Sequence, residues 1–185
     1  MPAVNEQPFL AFPLLDTERV ILRQVGQEDL DLVYAFNADA RALRYVVRDL
    51  YTSLDQAREK VEGFREGYRN REGLWWTFVN RATGCAMGYG GLFELDHDTG
   101  TAEIGYGLLP AFWGQGYMTE IVAELIRFGW EDLQLAGLRA QIVPGNTASE
   151  KVLLRHGFER QEVVPDHGQA RGQSFPMGLY LCPRP

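Results

Sequence analysis

The spacing of apolar residues along the chain shifts from a helical period to a strand period and back, and the shifts divide it into elements. Arg19 to Val25 has apolar residues enough for a strand, and Gly26 ends it. From Gln27 to Phe36, Leu30, Val33, Tyr34 and Ala35 fall near helical spacing. A second short helix is expected near Asp39 to Val46. Ser53-Leu-Asp-Gln56 fits a capping box, and the charged helix it opens should reach about Asn70 with Ala57, Val61 and Phe64 inward. The pattern then shortens. Leu74 to Asn80, Cys85 to Leu95 and Thr101 to Leu109 read as an antiparallel meander, joined by turns at Arg81-Ala-Thr-Gly84 and Asp96-His-Asp-Thr-Gly100. The long period returns from Tyr117 to about Leu135, with Met118, Ile121, Val122, Leu125 and Ile126 on one face. Leu138 to Val143 is a strand, Thr147 to His156 a helix stopped by Gly157, and Phe158 to Val164 a strand. Asp166 to Gly172 reads as a polar turn, and Ser174 to Leu181 as the last strand.

This order gives an α+β fold, with a mixed sheet of about seven strands flanked by helices. Met1 to Asp16, with three prolines and little periodicity, reads as an N-terminal arm with a loose first part. Residues 17–182 read as one domain, since no repeat and no long linker divides them.

Trp113-Gly114-Gln115-Gly116-Tyr117-Met118-Thr119 places two glycines at the mouth of the longest apolar helix. The first N–H groups of a helix lack internal partners, and the helix dipole makes that end an anion site. Glycine lets the loop adopt positive φ and lets a ligand approach the backbone. The pair therefore suits a phosphate cradle, although a tight turn alone would use it as well. It is not a P-loop, because no Gly-x4-Gly-Lys-[Ser/Thr] run exists, and threonine stands where the dinucleotide fingerprint needs a third glycine or alanine.

The segment Ala102 to Arg160 combines an Ile-Gly-Tyr strand, Trp-Gly-x-Gly-Tyr, and Asn-x-x-Ser ahead of a Gly-Phe. It resembles the GNAT N-acetyltransferase superfamily, and within it the branch of Rim-type ribosomal-protein N-terminal acetyltransferases. Thr17 to Leu30 resembles that branch's first strand and helix. The resemblance spans about Thr17 to Leu181 and implies the GNAT fold, with acetyl-CoA as cosubstrate. It assigns the pyrophosphate to the backbone of Gly114, Gln115, Gly116, Tyr117, Met118 and Thr119, with the Thr119 hydroxyl as an added donor. It assigns the pantetheine arm to the strand of Leu108 and to Asn146. Two departures stand out. Ala111 occupies the family's first Gln/Arg position, and Gly107 stands where relatives carry a bulky aromatic, which would widen the acceptor side.

Acetyl transfer to an amine needs a neutral nucleophile, and alkyl ammonium groups titrate near about 10 and α-ammonium groups near about 8. A carboxylate can take the proton directly or through water. By resemblance the candidate base is Glu103, which could otherwise be an arginine-paired strand carboxylate. The resemblance also implies a backbone N–H near Leu108 as the candidate oxyanion donor. Ser149, otherwise an ordinary first-turn serine, is the candidate partner of the leaving thiolate. Tyr106 and Tyr117 are aromatic alternatives for that role but read first as packing residues, and Cys85 reads as a core thiol without a relay partner. Trp75 and Trp76 point to opposite faces of a strand; both read first as packing, with one of them lining the acceptor pocket as the alternative.

The implied activity moves an acetyl group to a primary amine, with a protein N-terminal α-amino group as the first acceptor. The alternatives are a small amine such as a polyamine or antibiotic, or an idle acyl-CoA-binding sensor. Composition narrows the partners. The chain has 185 residues and a net charge of −7, which disfavours nucleic acid, suits solubility and can attract a cationic substrate. No apolar run is long enough for a membrane span and no secretory signal opens the chain. Two distant cysteines and three scattered histidines make neither a disulfide framework nor a metal site. A cytoplasmic location is expected, and the last strand is a candidate for pairing two copies into a homodimer.

Overall fold

The structure, a computed structural model, describes residues 4–170 and 172–185, with the side chains of residues 166 and 167 excepted. An eight-stranded sheet runs in the order β1-β2-β3-β4-β5-β6-β8-β7. Its strands are β1 (Leu15–Asp16), β2 (Val20–Gln24), β3 (Gly73–Asn80), β4 (Ala86–Asp96), β5 (Thr101–Leu108), β6 (Gly137–Ile142), β7 (Glu159–Ala170) and β8 (Gln173–Pro183). The helices are α1 (Leu30–Ala38), α2 (Leu54–Arg69), α3 (Tyr117–Glu131) and α4 (Thr147–Arg155). Every neighbouring pair of strands is antiparallel except β5 and β6.

Alternation along the strands builds two cores, one on each face of the sheet. Trp76 and Phe78 of β3 and Ile104 and Leu108 of β5 join Ile121, Leu125 and Phe128 of α3 on one face. On the other, Val33 and Phe36 of α1 meet Ala57, Val61 and Phe64 of α2 and Tyr89 of β4, with Trp75 packed beside them. At the entry to α2, Gln56 Oε1 accepts from the Ser53 N–H at 3.1 Å, the carboxamide half of the expected capping box. The residues of the arm that are described dock on the first core; Met1 to Ala3 lie outside the described residues. Val4 is buried, Phe12 packs edge-on against Trp76, and Trp76 Nε1 donates to the Pro13 carbonyl at 2.9 Å. The same arm supplies β1, the strand beyond the expected seven.

Three expectations fail. Asp39 to Val46 forms successive turns rather than a helix. Asp39 has extended backbone, and although its carbonyl accepts from the Leu43 N–H at 3.0 Å, the bonds that follow, from the Arg44 N–H to the Arg41 carbonyl and from the Val46 N–H to the Leu43 carbonyl, span only three residues, so no run of helical bonds forms. The polar turn expected at Asp166 to Gly172 is strand as far as Ala170, paired through Gly168↔Phe175 and Ala170↔Gln173; Arg171 lies outside the described residues. Pro165, Asp166 and Gly168 are poor strand formers, and the pairing shifts register between Val164 and Gly168 before it resumes to Ala170. The third helix stops at Glu131, short of Leu135. Gln134 there takes a positive φ of 58°, and the Leu135 N–H bonds back to the Gly129 carbonyl.

Candidate functional site

The sheet forks between β5 and β6. Their parallel register covers only Thr101↔Gly137, Ala102↔Leu138 and Glu103↔Arg139, whereas β4 follows β5 to Gly88↔Leu108. The Leu109 N–H bonds to the Met87 carbonyl, so by alternation Leu108 and Tyr106 turn their peptide groups toward the fork. Trp113 Nε1 donates to the Leu108 carbonyl on that side at 2.8 Å, which leaves the Leu108 N–H facing the cleft.

At one end of the fork lies the loop before α3. Gly114 and Gly116 have φ of 72° and 79°, the left-handed region in which a side chain is strained. No side chain caps the helix at Gly116, so the N–H groups of its first turn point outward at an exposed loop. Arg19 holds the loop from beneath. Its Nη1 donates to the Gln115 carbonyl at 3.0 Å and its guanidinium lies 4.6 Å from the Tyr117 ring centre. Glu120 fixes Arg19 in turn, through Nε at 2.8 Å and the backbone N–H at 2.7 Å. An exposed pair of this kind contributes about 0–1 kcal/mol to folding, so its consequence is where the loop sits. Nothing local in the sequence marks Arg19, which lies 96 residues from Gln115. Tyr117 packs as expected, its hydroxyl accepting from Asn80 Nδ2 at 2.9 Å.

The other end is a cavity of about 290 Å³ whose wall includes Glu103, Tyr106, Asn146 and Ser149. Glu103 is the last residue of the β5–β6 pairing, so its carboxylate stands at the fork itself. Gln141 Nε2 donates to its Oε2 at 3.2 Å and Arg139 Nε lies 3.4 Å away. Burial and the nearby Glu94 raise its pKa above the usual carboxylate value, against the pull of Arg139 and Gln141. Ser149 sits in the first turn of α4, where its N–H donates to Asn146 Oδ1 at 3.3 Å. The Tyr106 hydroxyl is buried facing Ser149 without a hydrogen bond of normal geometry, and burial raises its pKa strongly. The cavity thus brings Glu103, Asn146 and Ser149 together, while Leu108 and the Gly114–Thr119 loop lie outside its wall.

Three details correct the sequence reading. The space opened by Gly107 is filled, since a Cβ there would lie 2.4 Å from the Phe36 ring. Trp75 is more than packing. It stacks between Phe64 and Phe93 at 4.4 and 4.9 Å and lines the cavity. Cys85 is exposed in the β3–β4 hairpin, not in the core.

The acetyltransferase (GNAT) domain model matches residues 19–159, which include the fork, the loop and the cavity's Glu103 and Ser149. The chain belongs to the GNAT acetyltransferase family. It is an acetyl-CoA-dependent N-acetyltransferase by that membership and by its relatives. The uncharacterized N-acetyltransferase p20 of Bacillus licheniformis is 31% identical over 90% of this chain and 93% of its own. The uncharacterized N-acetyltransferase YoaA of Bacillus subtilis (strain 168) is 28% identical over 94% of this chain and 98% of its own. Among solved structures, an acetyltransferase of Salmonella typhimurium that modifies the N-terminal serine of 50S ribosomal protein L7/L12 superposes with a TM-score of 0.83. It is 16% identical and covers 94% of this chain and 100% of its own, a likeness of fold.

Among the described residues no cluster of His, Cys, Asp and Glu could hold a metal ion, and no helix is long and apolar enough to cross a membrane.

Proposed function

We propose that this GNAT enzyme transfers the acetyl group to a primary amine held in the Glu103 cavity, with Glu103 as the base. The observation that carries the reading is the position of Glu103: a carboxylate of raised pKa at the fork where an unpaired strand edge begins. The uncapped N-terminus of α3 would hold the pyrophosphate through the N–H groups from Gly114 to Thr119, with the Thr119 hydroxyl adding a donor. The open edge of β5 at Leu108 and the side chain of Asn146 would receive the pantetheine arm. That arrangement directs the thioester along the fork toward Glu103.

The amine nitrogen attacks the thioester carbon as its proton passes to Glu103, directly or through water. The Leu108 N–H stabilises the developing oxyanion. Collapse expels the thiolate, to which the Ser149 hydroxyl, with Tyr106 beside it, donates a hydrogen bond, and the proton that Glu103 took from the amine returns through water to the sulfur, giving CoA thiol and the carboxylate again. The products are the N-acetyl amine and free CoA. A protein N-terminal α-amino group remains the first acceptor, supported by the shared fold with the enzyme acting on L7/L12. Two free cysteines and the absence of a membrane-length helix among the described residues support a reducing, aqueous compartment, the cytoplasm.

The test is thiol release from acetyl-CoA with primary amines and with N-terminal peptides, the product mass showing one acetyl group on nitrogen. Turnover of amines but not of the matching alcohols is expected. Saturable acetyl-CoA binding without transfer to any amine would favour the sensor reading instead.

A further inference from the structure

The cavity wall carries a cation although the chain is acidic. The protein carries a net −7, yet Lys60 lines the cavity together with Glu103, which has Arg139 as its own cation. Lys60 reaches in from α2. Its Nζ lies 4.6 Å from the Phe64 ring centre and 5.8 Å from that of Trp75, and among the described residues no carboxylate pairs with it. Arg48 is aimed from the α1–α2 connection, where its Nη1 donates to Asn37 Oδ1 at 3.1 Å. Buried Asn37 is itself anchored on the Tyr89 hydroxyl at 2.7 Å. Burial, and Arg48 beside it, pull the Lys60 pKa down to about 7. An ammonium placed among aromatic rings, beside another cation and without a counter-ion, costs folding energy. Sites where sequence works against stability in this way are where function is expected.

We propose that the acetyl acceptor carries an anionic group, a carboxylate or a phosphate, on the same molecule as its primary amine, and that Lys60 binds this group with Arg48 beside it. The inference rests on the cavity being the acceptor end of the site. Glu103 at the fork takes the amine and Lys60 on α2 takes the anion, so the acceptor is oriented by opposite charges at its two ends. The Gly114–Thr119 loop, which would hold the phosphates of CoA, is not on this wall. A volume of about 290 Å³ suits the head of a small molecule or the first residues of a peptide. Polyamines, which are cationic throughout, are the acceptors this arrangement rejects.

The experiment compares 4-aminobutanoate, 4-aminobutanol and 1,4-diaminobutane as acceptors, alongside the C-terminally amidated peptides Ser-Asp-Gly and Ser-Lys-Gly. Each is assayed with the wild type, Lys60→Met and Lys60→Arg, and acetyl-CoA binding is measured separately by calorimetry. A charge-assisted contact of this kind predicts about tenfold or more in kcat/KM for the anionic member of whichever set is used. The small acids or the acidic peptide, by which is turned over faster, identify the source of the anion. The preference should fall to about twofold in Lys60→Met, through KM rather than kcat, and survive in Lys60→Arg. Thermal unfolding of each variant confirms that the fold is kept. Equal or greater turnover of the cationic members overturns the proposal. So does a preference unchanged in Lys60→Met, or turnover of no probe by an enzyme that binds acetyl-CoA. Failure to bind acetyl-CoA overturns the reading of the site as well as this one.

Discussion

At the Gly114–Thr119 end of the cleft the groups proposed to recognise the ligand belong to the main chain. At the Lys60–Trp75 end they belong to side chains gathered from several separate elements. The first end is a helix start with two left-handed glycines and an unpaired strand edge, features any sequence that keeps the backbone path can provide. The second depends on Arg48 from a connection, Lys60 from α2, Trp75 from β3 and Glu103 from β5, each replaceable one at a time. Under the proposed assignment, the difference teaches that one fold can keep a fixed hold on its cosubstrate while the acceptor side is free to change. Variants should therefore separate the two functions, and the separation can be broken or sharpened in order of expected effect.

The largest effect is expected from Glu103→Gln, with kcat/KM near pH 7 falling about 100-fold or more and acetyl-CoA affinity unchanged. The wild-type rate should decline as pH falls and Glu103 takes up a proton. Because burial raises its pKa, that acid limb should lie above the ordinary glutamate range and be absent from the variant. Measuring kcat/KM against pH checks both points, and a uniform loss at every pH would remove Glu103 as the base.

Gly116→Val comes next. Its positive φ of 79° strains a β-branched residue, and the new Cβ would lie 3.5 Å from Arg19. Strain of about 1–3 kcal/mol at the loop should weaken acetyl-CoA about tenfold while the acceptor KM holds. Calorimetry and steady-state kinetics on the same preparation would show whether the ends move together.

Lys60→Met should sharpen the contrast through stability. The folded-state pKa of Lys60 is about 7, below its usual 10.5. Stability is then fullest above the unfolded pKa and is lost as pH falls through about 7, where the fold must accept the buried charge. The variant's gain in Tm should accordingly be greater at pH 6.5 than at pH 10. A gain equal at both would mean that Lys60 carries no cost.

The smallest effect is expected from Arg19→Ala. Loss of an exposed ion pair should shift Tm by only about a degree or two, with acetyl-CoA affinity reduced about threefold as the loop loses its brace.

Sequence and structure agree where the signal is local and periodic. The meander, the capping box at Ser53 and the apolar face of α3 were all legible, because each element's burial repeats with its own period. The glycine pair was legible for the same reason, since a run of consecutive residues makes that end of the cleft. Lys60 and Arg48 were not. Lys60 sits on a charged helix among other polar residues, and only the fold shows that it reaches over Phe64 toward the cavity. Arg48 lies in the connection between α1 and α2, two positions beyond the stretch expected as a helix and without a pattern of its own. Gly107 was read as a gap because the ring of Phe36, 71 positions earlier in the chain, fills it. Trp75 could be placed on a face by alternation, but whether that face is core or cavity depends on what α1 and α2 leave uncovered.

The most direct test of the account is calorimetric titration of acetyl-CoA into the wild type, Gly116→Val, Glu103→Gln and Lys60→Met. A main-chain cradle at the start of α3 predicts one saturable site in the wild type, weakened in Gly116→Val alone. Absence of saturable binding in the wild type would contradict the account, as would a Gly116→Val variant that binds acetyl-CoA as tightly as the wild type.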